Sequence, residues 1–124
     1  MPHNHTITPT EAEIILHRLY VPDAIAETLA EDEPNIATGD INAAIKRLTA
    51  YVAAGILPPE LSQTERLVLD DVLDGNTFAV DLRAAVGSEQ ITKNEASYIR
   101  RVCRELPGKL AGFYGGEWAD IPTD

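Results

Sequence analysis

Side chains able to do chemistry are few and scattered in this 124-residue sequence. His3, His5, His17 and Cys103 make up its histidines and cysteine, and they do not form the spaced set that grips a metal ion. Cys103 falls on an apolar stripe with Ile99, Val102 and Leu106, so it reads as core packing rather than as a nucleophile. Asp70-x-Val72-x-Asp74-Gly75, with Asp81 beyond it, places a valine where a calcium loop needs an oxygen ligand. There is no glycine-rich phosphate loop and no nucleophile elbow. The acidic pairs Glu11/Glu13 and Asp70/Asp71 lack neighbouring polar groups and read as solvated faces. The sequence therefore predicts a protein that is not an enzyme and takes no metal or other cofactor.

What remains is charge. Ten basic and twenty acidic side chains give a net charge of −10. Glu31-Asp32-Glu33 and the group Asp70, Asp71 and Asp74 are the candidate surfaces for a basic protein partner. The basic residues gather late, with Lys93, Arg100, Arg101 and Arg104 interleaved with Asn94 and Ser97. Such a set can face phosphates and base edges. Pairing of the three arginines with Asp70, Asp71, Asp74 or Glu105 is the competing expectation.

Helices must position these groups. Thr8-Pro9-Thr10-Glu11 is a capping box that opens a helix ending near Tyr20, with Ile14, Ile15, Leu16 and Leu19 on its apolar face. Pro22 starts a second helix over about 22–32, with Ile25, Ala26 and Leu29 inward. Its end at Glu31-Asp32-Glu33 opposes the helix dipole. Thr38 caps a third helix carrying Ile41, Ala44, Ile45, Leu48 and Val52, and Gly55 and Pro58-Pro59 close it. Ser62-x-x-Glu65 caps a fourth helix, and Asp74-Gly75-Asn76 turns into a fifth over about 77–86, offering Phe78, Val80, Leu82 and Val86. Thr92-x-x-Glu95 caps a sixth, which Pro107-Gly108 stops or kinks. Residues 1–7 read as a polar lead that holds His3 and His5 in a mobile tail. The glycine-rich, aromatic stretch after Gly108 reads as a loose hairpin or an extended tail.

Residues 8–55 repeat in 62–109. An offset of 54 lays Thr8 on Ser62, Glu11 on Glu65, Ile14 on Val68, Leu19 on Leu73 and Thr38 on Thr92. The middle helix needs a one-residue shift, which brings Ile25 to Phe78 and Leu29 to Leu82. The predicted fold is all-α: one compact domain, 1–124, of two tandem three-helix units sharing a core. A small β element or extended tail is expected over 110–124.

Helix, short helix, glycine-containing turn and capped third helix make Ser62–Gly108 resemble helix-turn-helix and winged-helix domains, with Thr8–Gly55 a looser copy. The resemblance implies that Lys93, Asn94, Ser97 and Arg101 would enter a major groove, with Arg100 and Arg104 near phosphates. Lys109–Trp118 would stand in the place of a wing. Charge argues otherwise, because residues 1–75 hold 4 basic and 13 acidic side chains and would oppose a polyanion. The leading expectation is an acidic helical protein that binds another protein with a basic surface, as an inhibitor or regulator of a nucleic-acid-handling complex. In size and acidity it resembles anti-CRISPR and related phage-encoded inhibitors. A transcriptional regulator reading DNA through 92–106, and an oligomerising structural component, are the alternatives. The lead lacks a secretory signal and no apolar run reaches the ~18 residues of a membrane span, so the expected location is the cytoplasm.

Overall fold

The computed structural model describes residues 5–74 and 77–123. Six α-helices and one two-stranded ribbon lie among them. His3, Gly75 and Asn76, read above as part of a tail and a turn, fall outside the described residues. In order, β1 (His5–Thr6) precedes α1 (Pro9–Leu19), α2 (Pro22–Asp32) and α3 (Thr38–Ala53); β2 (Ile56–Leu57) leads to α4 (Gln63–Leu73), α5 (Thr77–Gly87) and α6 (Lys93–Tyr114). No helix among the described residues is long and apolar enough to cross a membrane.

All three capping boxes form. The Thr8 amide donates to Glu11 Oε1 at 2.8 Å and the Glu11 amide to Thr8 Oγ1 at 3.2 Å. Ser62 and Glu65 repeat the exchange at 2.9 and 3.1 Å, and Thr92 and Glu95 at 3.4 and 3.1 Å. Thr38 does not behave this way. It is the first helical residue of α3, and Ala37, extended at φ −68° and ψ 140°, holds the cap position without a side-chain bond. A hydroxyl caps only from an extended residue ahead of the helix.

The chain divides into two compact units, Met1–Val72 and Leu73–Asp124. Most of α4 thus groups with the first three helices, whereas the sequence placed its break at Pro58-Pro59. In the first unit α1 and α2 both pack on α3. Ile15, Ile25, Ile41, Leu48, Val52, Val68 and Leu69 are fully buried there. β1 and β2 pair antiparallel, His5 opposite Leu57 and Thr6 opposite Ile56, and the Ile7 amide extends the ribbon to Gly55 O at 3.1 Å. Gly55 makes that turn at φ +82°, a conformation in which a side chain is strained. The β element therefore lies here and not over 110–124. Residues 5–7 are a pinned strand rather than a loose lead, because Ile7 and Leu57 are buried.

In the second unit α5 packs on α6. Phe78, Ala79 and Leu82 are buried, whereas Val80 faces outward. Pro107-Gly108 does not end α6, which runs on to Tyr114 and stops at Gly115, φ +75°. Proline inside a helix costs about 3 kcal/mol. The burial of Leu106, Pro107 and Leu110 on one face carries the helix through it. Lys109–Tyr114 are therefore helical and cannot form a wing. Beyond the glycines the chain is extended. Trp118 and Ile121 are buried, and the Trp118 indole donates to Gly115 O at 3.1 Å.

Helix starts recur near the offset of 54 read from the sequence, but the third pair departs from it in both start and length. α4 begins 54 residues after α1 (Pro9 to Gln63), and both have 11 residues. α5 begins 55 after α2 (Pro22 to Thr77), again with 11 each. α6 begins 55 after α3 (Thr38 to Lys93), with 22 residues against 16.

Candidate functional site

α2 carries a one-sided charge. Asp23, Glu27 and Glu31 recur every fourth residue, about one turn apart, so they share a face. Each stands two residues, or about 200°, from Ile25 or Leu29, the buried pair. That stripe is consequently exposed; Asp32, the last residue of α2, lies off it, toward the side of Ile25, and is exposed at the helix end. Glu33, the C-cap, is half-buried, and the last turn holds no basic residue.

An apolar corner precedes this acidic face. α1 closes on Tyr20, whose amide reaches Leu16 O at 2.9 Å, and the Val21 amide bonds Arg18 O at 3.0 Å. Pro22 then starts α2 at once, which turns both side chains outward: Tyr20 is 67% and Val21 53% exposed. Beside them lies a mostly apolar hollow of about 590 Å³ lined by Leu19, Tyr20, Pro22, Ile45, Thr49 and Ala50, with Asn42 and Lys46 completing it. The sequence reading found Glu31, Asp32 and Glu33 but missed Asp23, Glu27, Tyr20 and Val21. The signal was present in the four-residue acidic spacing opposite Ile25 and Leu29. The second acidic group differs: Asp70 and Asp71 are half-buried on α4, and only Asp74 is exposed.

α6 presents the opposite character. Asn94, Ser97, Tyr98, Arg101, Arg104 and Glu105 line an open trough of about 530 Å³. They sit at three- and four-residue steps on the side away from Ala96, Cys103, Leu106 and Leu110. Four of the six residues read as DNA-facing are thus brought together. Arg100 is half-buried and turned toward the packed face, and Lys93, at the start of the helix, is exposed but does not line the trough. Tyr98 is 45% exposed, and the Arg101 guanidinium lies 5.3 Å from its ring centroid. Among the described residues no carboxylate lies within ion-pairing distance of Arg101 or Arg104. Within the second unit the expected pairing of these two arginines with Asp74 or Glu105 does not occur, because they point away from the unit's core.

The remaining polar constellation is structural. Arg47 of α3 pairs with Glu65 of α4 and stacks 5.2 Å from the Tyr51 ring. Burial alone would raise the Glu65 carboxyl, but bonds from Arg47 and Ser62 hold it below its ordinary value. The hydrogen bond to Glu65 raises Arg47 in turn. Cys103 is fully buried, and desolvation raises its thiol to about 11. His17 is exposed on α1, and Asp70 to Leu73 are helical rather than a loop. Among the described residues no group of three or more His, Cys, Asp or Glu side chains is placed to hold a metal ion. No family model, no characterised protein and no solved structure matches the chain.

Proposed function

We propose that this chain is a non-enzymatic binding protein whose α1–α2 corner and α2 face dock on a basic protein. The carrying observation is a pair of exposed features that follow each other along the chain: Tyr20 and Val21 beside an apolar hollow, then the exposed carboxylates of Asp23, Glu27 and Glu31. An aromatic or aliphatic anchor in a hollow supplies affinity, and complementary charge steers association and rejects wrong partners. Acidic residues at the C-terminus of α2 oppose its dipole, by about 0.3–1 kcal/mol each at low salt. Their placement makes sense where a cation arrives from outside. The partner chemistry is an apolar side chain flanked by Lys or Arg, as on surfaces that also hold nucleic acid. An inhibitor or regulator of such a complex is the role this surface fits.

The test uses immobilised protein against a cell extract, comparing wild type with Tyr20→Ser, Glu27→Lys/Glu31→Lys and Arg101→Glu/Arg104→Glu. A partner retained by wild type and by the α6 variant, but lost from the other two and released by salt, supports the reading. Retention indifferent to the α2 and Tyr20 changes overturns it. The α6 stripe supports a second reading, recognition of duplex DNA through Asn94, Ser97 and Arg101. Sequence-specific DNA retention at about 0.15 M salt, lost in Arg101→Ala, would put that reading first.

A further inference from the structure

The chain carries both halves of the recognition just described. The corner and α2 of the first unit call for an aromatic side chain flanked by cations. The exposed face of α6 is such a surface: Tyr98 is followed by Arg101 and Arg104 on one stripe, neither arginine being paired with a carboxylate of the described residues. Tyr20 is 67% exposed and Tyr98 45%.

We propose that the chain self-associates head to tail, the Tyr98–Arg101–Arg104 face of α6 in one copy docking on the Tyr20 corner and acidic α2 face of a second copy. The proposal rests on the functional reading above and names a partner for that surface.

Spacing supports the pairing. Along α6, Arg101 and Arg104 lie about 4.5 and 9 Å beyond Tyr98 at the helical rise. Along α2, Glu27 and Glu31 lie about 7.5 and 13.5 Å beyond Pro22. With Tyr98 over the hollow and the helices parallel, arginine side chains span the remaining few ångströms. Charge supports it as well. α2 holds Asp23, Glu27, Glu31 and Asp32 without a basic residue, whereas α6 holds Lys93, Arg100, Arg101, Arg104 and Lys109 against Glu95 and Glu105. Glu105 is the one misfit on the stripe, a carboxylate that faces the carboxylates of α2. Because the two patches differ, the interface is heterologous, so copies either close into a ring or continue in series. A basic partner of higher affinity for the α2 face would compete with the assembly.

Net charge sets the conditions. Two molecules of −10 repel at about 10 mM salt, where the Debye length is about 30 Å. Near 0.15 M it is about 8 Å, so distant charges are screened while contacting pairs are not. At about 1 M the pairs are screened too. Association should pass through a maximum between these limits.

Sedimentation equilibrium of the full chain at 0.15 M salt tests this, with circular dichroism confirming that each variant stays folded. Wild type should form oligomers as concentration rises. Glu27→Arg/Glu31→Arg and Arg101→Glu/Arg104→Glu should each be monomeric alone. An equimolar mixture of the two should associate again, because each supplies one native face. Tyr98→Ser should weaken association about tenfold or more, the loss of a central anchor. Glu105→Gln should tighten it about twofold to fivefold. A monomeric wild type across the range, or association unchanged by either reversal, overturns the proposal. A fluorescent Arg-Arg-Tyr-Arg-Arg peptide separates the two levels. If it binds through Glu27 and Glu31 while wild type stays monomeric, the second copy is wrong and the binding surface stands. If it does not bind, the surface itself is wrong.

Discussion

Replacing Arg47 by alanine tests the one ion pair that ties α3 to α4 in the described residues. Glu65 is only 6% exposed and Arg47 44% exposed, so the carboxylate depends on its partner far more than the guanidinium does. A charge-assisted hydrogen bond contributes about 1.5–3 kcal/mol. Water reaches the Arg47 side, and Ser62 still donates its amide to Glu65 at 2.9 Å, so the expected loss is smaller, about 1–2 kcal/mol. The pH dependence is the sharper readout. In wild type the Glu65 carboxyl lies below its unfolded value, so the unfolded chain binds the proton more tightly. That stabilisation is fully present above the unfolded pKa of about 4.3 and is lost as pH falls through the folded value. Without Arg47, burial acts unopposed by its charge and pushes the carboxyl up, so this acid-dependent loss shrinks or changes sign. Urea unfolding between pH 3 and 7, for wild type, Arg47→Ala, Arg47→Lys and Glu65→Gln, measures both effects. A coupling energy below about 0.3 kcal/mol, or identical pH profiles with and without Arg47, would refute the reasoning.

Leu110 is fully buried beyond Pro107, so Leu110→Ala should cost about 2–4 kcal/mol in chemical unfolding; a loss under about 0.5 kcal/mol would mean that α6 ends at the proline. Cys103 should resist thiol reagents until denaturant is added, and Cys103→Ser should cost about 1–3 kcal/mol. With its thiol raised to about 11, Cys103 should contribute stability that is present below the unfolded value near 8.5 and lost toward pH 11. Comparing alkaline unfolding with that of Cys103→Ala isolates this group. Thr92→Ala should lose about 1 kcal/mol and Thr38→Ala less than about 0.5, since only Thr92 caps its helix; equal losses would contradict the assignment.

Helix starts were legible wherever their chemistry is local. A hydroxyl and a glutamate three residues apart form a capping box almost without regard to the rest of the chain, and all three boxes form. Thr38 lacked the reciprocal glutamate three residues on, which was reason enough not to read it as a cap. Pro107-Gly108 misled because the local penalty is real but smaller than the burial of Leu106 and Leu110, which depends on partners outside the helix. The ribbon was unreadable for a related reason: two strands of two residues carry no periodicity, and their pairing is a property of distant segments. The middle helices match less closely than their lengths suggest. Ile25 and Phe78 are both buried, yet Ile25 is the fourth residue of α2 and Phe78 the second of α5. Among the site residues, charged runs drew attention to Glu31-Asp32-Glu33, whereas the surface itself follows the helical period through Asp23 and Glu27.

The small ribbon has a kinetic consequence. Helical domains usually fold fast because their contacts are local. Here β1 meets β2 across about fifty residues, so closing the first unit carries a chain-entropy cost that α1, α2 and α3 do not. We expect the helices of that unit to assemble before the segment around Ile7 arrives, with the ribbon closing last. Substitutions at Ile7 or Leu57 should then act mainly by speeding unfolding, leaving the folding rate nearly unchanged. The lifetime of the native first unit would be governed from its first few residues, far in sequence from the acidic face it presents.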